Sequence, residues 1–260
     1  MTEAPLLLRE DKDGVVHLTL NRPEARNALS LGLIAALQAE LDAIAKDKSV
    51  RVVVIGANGP AYCAGHDLKE VRANPSPEAY QDLFDRCSQV MLSVVRLPQP
   101  VIARVHAMAT AAGCQLVASC DLAVAVDHAR FATPGVNIGL FCSTPMVALS
   151  RNVPRKQAME MLLTGTPVSA QQALAMGLVN RVVPEDQLDT AIDELVQSIK
   201  AKSPSTLAIG KEAFYRQIDM DYDGAYAFAG QVMVRNLQTH DACEGIDAFI
   251  AKRKPVWRGC

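Results

Sequence analysis

The chain has 260 residues, half of them hydrophobic, and a formal net charge of -2 at neutral pH. That length and apolar content suffice for one large buried core with a small appendage. The near-neutral charge argues against a general nucleic-acid or membrane-surface role, and no apolar run approaches the ~18 residues of a membrane span.

The first residues carry Glu3 and no long apolar stretch, so no secretory or transit segment is expected. The cysteines are Cys63, Cys87, Cys114, Cys120, Cys142, Cys243 and Cys260. Their odd number and the lack of a C-x-x-C pair suit free thiols in a reducing compartment, and a cytoplasmic location is the resulting expectation. His66 and Asp67 are ligand-type neighbours, but adjacent residues rarely converge on one ion, so no metal site is expected.

Taken in order, residues 6–9 and 14–20 predict two strands around a polar turn at 11–14, because Val16, Leu18 and Leu20 alternate with His17 and Thr19. Asn21-Arg22-Pro23 ends that pattern. Ser30 predicts the N-cap of a helix over 31–46, in which Leu33, Leu37, Leu41 and Ile44 recur at helical spacing. The β-branched run 50–56 predicts a buried strand. The loop 57–67 turns at Asn58-Gly59-Pro60, and its small residues Ala64 and Gly65 form a place where main-chain donors can face a ligand. Ser76-Pro77 predicts a helix start with proline in the first helical position, running to Val95, and 101–105 predicts a strand.

The stretch that follows organises the rest. Thr110, Ala111, Ala112 and Gly113 stand where a short helix begins, and Gln115 and Leu116 carry it toward Asp121. Small residues there permit tight packing, or they let a ligand reach the first helical N–H groups, which have no partner inside the helix. Both readings stay open on this stretch alone. Residues 122–126 predict a strand, 131–135 a turn, and helical signals dominate from Ser143, including a capping box at Ser169–Gln172. A last strand at 179–183 ends at Pro184; Ser203-Pro204 opens another helix, and two more are predicted over 222–237 and 241–252. The organisation is therefore an α/β core, residues 1–195, and a helical region, residues 196–260. The second must cover Phe214, Tyr215, Tyr226, Phe228, Met233 and Val234 with its own core or with another subunit.

Several segments together resemble the crotonase family, also called the enoyl-CoA hydratase/isomerase superfamily. They are Asn21-Arg22-Pro23 with Asn27-Ala28-Leu29, Ala61-Tyr62-Cys63-Ala64-Gly65-His66-Asp67-Leu68, and residues 111–121, 131–139, 163–165, 173–179 and 244–257. The resemblance spans nearly the whole chain. It implies an α/β crotonase (ClpP-like) spiral fold of repeated ββα units with a C-terminal α-helical trimerisation region, assembled as a homotrimer or a dimer of trimers. It also implies acyl-CoA substrates, with coenzyme A arriving as part of the substrate and no tightly bound cofactor.

Carried over residue by residue, the resemblance assigns two thioester-oxygen donors to the backbone N–H groups of His66 and Ala112. Such donors stabilise the enolate more than the ground-state carbonyl. The two glutamates of ordinary hydratases fall on Gln115 and Gly135. Gln115 can hold a water or a substrate oxygen but is no general base near neutral pH, and Gly135 has no side chain. Coenzyme A contacts are expected from Arg22, Ala64, His66, Asp67 and Leu68, with Lys252 and Lys254 reaching a neighbouring subunit's ligand. Tyr80, Phe84, Gly135, Leu140 and Cys142 are expected to bound the acyl pocket, Cys142 as a packed thiol. The expected function is acyl-CoA thioester binding of the enoyl-CoA hydratase type. Another thioester reaction such as decarboxylation, or binding without catalysis, are the alternatives.

Overall fold

Asp13 and Gly14 both have positive φ, 49° and 74°, the backbone that a two-residue turn between twisted antiparallel strands requires. They join β1 (Leu7–Lys12) to β2 (Val15–Leu20), with Lys12 opposite Val15. The hairpin is thus tighter than the four-residue turn expected, and β1 runs through residues read as loop. This computed structural model describes residues 4–260; Glu3, used above, lies outside them.

Ser30 caps α1 (Leu31–Ile44), its side chain accepting from Leu33 N. The helix crosses over to β3 (Val52–Ala57), which lies parallel to β2. A short strand, β4 (Ala61–Cys63), and the helices α2 (Leu68–Ala73) and α3 (Pro77–Arg96) follow. The pattern of long strand, short strand and helix then repeats. β5 (Val101–Val105), β6 (Met108–Thr110) and α4 (Ala112–Ser119) form the next unit. The unit after that comprises β7 (Leu122–Val126), β8 (Arg130–Ala132), α5 (Pro145–Asn152) and α6 (Arg155–Thr164). The chain continues through β9 (Val168–Ser169), α7 (Ala170–Ala175) and β10 (Arg181–Val183).

The long strands make a six-stranded sheet in the order β1-β2-β3-β5-β7-β10, and the short ones a second, four-stranded sheet, β4-β6-β8-β9. Successive units therefore add one strand to each sheet, which is the expected spiral. The short strands were not foreseen: 61–63 and 131–132 read as loop and turn, and nothing marked 108–110 as extended. Three residues are too few to show alternation, and they extend only because a parallel neighbour waits in the second sheet.

The helical part is α8 (Leu188–Lys200), α9 (Pro204–Gln217), α10 (Tyr222–Leu237) and α11 (His240–Ile250). α8 buries Leu188, Ala191, Ile192 and Val196 and runs unbroken through residues 195 and 196, where the sequence divides the chain. α9 and α10 bury no residue. A polar tether joins α9 to the core: Lys211 Nζ donates to Val94 O at 3.0 Å, Gln99 O at 3.1 Å and Asp121 Oδ2 at 2.6 Å, and Tyr215 OH donates to Asp121 Oδ1 at 3.0 Å. Burial holds the Lys211 ammonium below its usual pKa, against the pull of Asp121. At the chain's end the buried Asp241 accepts from Ser203 Oγ and from the N–H groups of Arg258 and Gly259. Among the described residues no helix is long and apolar enough to cross a membrane.

Candidate active site

The segment around Asn27 organises one wall. Asn27 has φ 53°, a left-handed conformation that asparagine tolerates. Its buried amide donates to Asn58 O at 2.7 Å and Ala61 O at 2.8 Å and accepts from Arg22 N at 2.8 Å. One side chain thus fastens the Arg22 turn to the β3–β4 loop. Leu29 then grips the loop after β4 on both sides: its N–H donates to Gly65 O at 2.7 Å, and its C=O accepts from Asp67 N at 3.2 Å. A parallel bridge of that register leaves the N–H of the intervening residue, His66, pointing away from Leu29. Among the described residues it donates to nothing.

The second wall is the start of α4. Ala111 adopts φ 50° and ψ -119°, a conformation in which a Cβ is disfavoured. It is held there by Ala111 N donating to Ala132 O at 2.9 Å and Gln115 N donating to Ala111 O at 3.0 Å. Ala112, the first helical residue, is fully buried, and its N–H likewise has no acceptor. The two walls touch. A Cβ on Gly65 (φ 89°) would stand 2.8 Å from Ala111 Cβ and 3.4 Å from Ala112 N. A Cβ on Gly113 would stand 2.3 Å from Cys63 O. Glycine at 65 and 113 is what allows the loop, β4 and the helix start to meet, so the packing reading of this stretch holds, and the Ala112 N–H stands unpartnered beside that contact.

The His66 imidazole packs edge-on against Phe84, ring centroids 5.2 Å apart, and its Nε2 is buried without a partner. Burial pushes its pKa down to about 4, so the ring is neutral near pH 7. Tyr80 and Phe84 lie in the first half of α3, with Phe84 38% exposed. Gln115 is 5% exposed, its side chain makes no hydrogen bond, and Oε1 is buried and unpartnered. It lines a cavity of about 730 Å³ between α3, α4, α5 and α9. Neither His66 nor Ala112 lines that cavity.

At Gly135 the space is occupied. Gly135 N donates to Cys142 Sγ at 3.3 Å, and Leu140 N donates to Gly135 O at 2.9 Å. A Cβ there would meet Leu140 O at 2.7 Å and Cys142 Sγ at 2.9 Å. The Cys142 thiol is buried and pushed up in pKa by that burial, which keeps it a thiol.

The residues expected to meet coenzyme A divide into two sets. Ala64 and Leu68 are exposed beside His66. Arg22 and Asp67 bind each other, Nη2 to Oδ2 at 3.0 Å, and Arg22 Nη1 also donates to Ala28 O at 2.6 Å. Asp67 Oδ1 accepts from Lys69 N and Glu70 N as the cap of α2. Arg22 and hydrogen bonding from the α2 amides hold its carboxyl below the usual range, against the opposing effect of burial. Lys252 and Lys254 follow α11, exposed and without ion-pair partners among the described residues. Sequence reasoning missed Lys211 and Tyr215 because their partner, Asp121, is far off in the chain. It also missed the cavity behind Gln115, which four separate helices enclose.

A spiral of ββα units, with one unpartnered amide in the loop after β4 and another at the start of a buried helix, defines a crotonase-fold protein. The chain belongs to the enoyl-CoA hydratase/isomerase family, whose model matches residues 10–260. It is 48% identical over 256 residues to a rat protein named enoyl-CoA hydratase domain-containing protein 3, mitochondrial, covering 98% of this chain and 85% of that one. Among solved structures, an enoyl-CoA hydratase of Mycobacterium smegmatis is 59% identical with a TM-score of 0.96, covering 98% of this chain and 99% of that one. The human enoyl-CoA hydratase domain-containing protein 3 is 47% identical with a TM-score of 0.94, covering 97% and 100%. The cytoplasmic expectation is overturned here, since the rat and human relatives are named as mitochondrial proteins. Unpaired cysteines report a reducing environment, and more than one compartment provides that.

Proposed function

We propose that this chain binds acyl-CoA thioesters and stabilises the thioester enolate between the N–H groups of His66 and Ala112, with little hydratase turnover. The observation that carries the reading is the pair of unpartnered backbone donors on two walls in contact at Gly65 and Ala111. When water adds to an enoyl thioester, a C–O bond forms at the β-carbon and the double-bond electrons move onto the thioester oxygen. The water loses one proton, and as the enolate electrons return a proton joins the α-carbon. Fixed N–H groups meet the oxygen as its charge develops, and losing one such donor costs ~3–4 kcal/mol in other enzymes.

The proton transfers are what this site lacks. Gln115 orients a water or a substrate oxygen but takes no proton near neutral pH. Gly135 has no side chain, and Leu140 O and Cys142 Sγ fill the place of one. The half-buried, neutral His66 is a weak base. The closed space at Gly135 favours one second reading, decarboxylation. There a carboxylate on the α-carbon leaves as carbon dioxide, its bonding pair becomes the enolate, and no base is needed to form it.

Ala64, Leu68 and the Arg22–Asp67 pair form the near edge of the coenzyme A site in this reading, with Lys252 and Lys254 contributed by a neighbouring subunit. Tyr80, Phe84, Leu140 and Cys142 bound the acyl group beside the thioester. Association as a homotrimer or dimer of trimers through residues 196–260 is supported by the bare faces of α9 and α10, where Phe214 is 53% and Tyr226 78% exposed. Light scattering after gel filtration tests that assembly, and a monomer would refute it.

The reaction is tested by following crotonyl-CoA with mass-resolved chromatography, alongside calorimetric titration with a saturated acyl-CoA. Binding with no 3-hydroxybutyryl-CoA above an enzyme-free control is expected. Rapid hydration that disappears when Gly65 is replaced by valine would overturn the weak-hydratase reading, and absence of any binding would overturn the thioester reading itself.

A further inference from the structure

We infer that the acyl chain runs along the flank of α4 into the cavity behind Gln115 and that its far end carries a carboxylate, received by Arg96. The inference rests on the thioester reading above and deepens it. Ala112, Gln115 and Ser119 fall on one stripe of α4, and Gln115 and Ser119 line the cavity. At 1.5 Å per residue, Ser119 lies ~10 Å beyond the Ala112 amide.

α3 runs beside α4 in the same sense. Near its start, Phe84 packs on His66 at the donor end. Near its finish, Lys211 ties Val94 O to Asp121, just past the end of α4. Met91, Leu92 and Val95 therefore form an apolar wall that leads away from the donors, and Arg96 stands at its distal end; all four line the cavity. The volume, about 730 Å³, falls within the range of small-molecule sites.

The charges around this cavity leave one group unmatched. Of the carboxylates that line it, Asp219 lies 3.7 Å from Arg151, and Glu212 is shared by Arg216 at 3.3 Å and Arg235 at 3.4 Å. Arg96, an exposed residue at the cavity's rim, has no ion-pair or hydrogen-bonding partner among the described residues. Its place in the last turn of α3 suits a cation in any case, but it also borders the cavity at the end of the apolar wall farthest from the donors. A methyl-ended chain leaves it idle, whereas a carboxylate accepts two parallel hydrogen bonds from it.

The test compares matched saturated thioesters by calorimetry: adipoyl-, suberoyl- and sebacoyl-CoA against hexanoyl-, octanoyl- and decanoyl-CoA. At the length that reaches Arg96, the dicarboxylic member is expected to bind about tenfold tighter, the scale of one charge-assisted hydrogen bond. Arg96→Gln should erase that ratio, Arg96→Lys should keep part of it, and Arg155→Gln, on α6, should leave it unchanged. Equal affinity at every length, or a ratio that survives Arg96→Gln, would overturn the inference while leaving thioester binding intact. Failure of both series to bind would instead refute the thioester reading, and this inference with it.

Discussion

α4 and α9 belong to one chain and have opposite surroundings. All 8 residues of α4 are buried, while none of the 14 in α9 is. α4 is composed mostly of small and apolar residues set on the four-stranded sheet: Gly113 lies on Cys63 of β4, and the N–H of Ala111, just before the helix, is bonded to Ala132 O of β8. Packing on Cys63 and the hydrogen bonds of Ala111 are what fix the direction of the Ala112 N–H. α9 is tied to the core by the polar contacts of Lys211 with Val94 O, Gln99 O and Asp121 and of Tyr215 with Asp121, and Phe214 is 53% exposed. The small residues of α4 pack inside the fold, whereas α9, with no buried residue, rests on the core through polar side chains.

The largest break in this contrast comes at the tether. Lys211→Met strands the Asp121 carboxylate, whose side chain is 17% exposed, and should cost ~3–5 kcal/mol in urea denaturation. Hydrogen exchange in that variant should accelerate in α9, with α4 protected as before; equal loss in both would mean the two helices unfold as one unit. Adding Asp121→Leu should restore part of the stability.

The donor side is broken by pH. The folded-state pKa of His66, about 4, lies below the ordinary value near 6.5. The buried neutral ring therefore contributes stability that is present above about pH 6.5 and is lost as pH falls toward 4, ~3 kcal/mol in all. His66→Gln should flatten that part of the stability profile measured between pH 7 and pH 4. An unchanged slope would show that other groups cause it.

Smaller effects sharpen the comparison. Gly113→Ala forces a methyl against Cys63 O and should cost ~1–3 kcal/mol, with weakened acyl-CoA affinity because the Ala112 amide moves with it. Normal affinity in a destabilised variant would separate fold from site. Tyr215→Phe removes one hydrogen bond to Asp121 and should cost ~1 kcal/mol by thermal or chemical unfolding, felt in α9 and not in α4.

The elements that could be read from the sequence share a local cause. Ser30, Ser76, Ser169 and Ser203 accept from backbone N–H groups at the helix starts where they were expected. The alternation in β2 and the β-branched run of β3 correspond to strands. The reading erred where an element depends on a distant neighbour. β4, β6 and β8 are three residues long and exist by pairing in a second sheet. Of the site, the two small-residue loops were visible as loops, and the family resemblance named His66 and Ala112. That Arg22 and Asp67 satisfy each other was not visible, because 45 residues separate them.

By itself, then, the sequence determined the long strands, the capped helices and the two glycine-bearing loops. Capping, alternation and glycine's conformational freedom act within a few residues of the chain, so they can be read in one dimension. Only the tertiary structure decided that Gly65 meets Ala111, that Leu140 and Cys142 close the space at Gly135, and that Asp121 finds Lys211 across 90 residues. Those outcomes depend on which surfaces the sheets and helices bring together, and a contact between remote residues leaves no periodic mark on either segment.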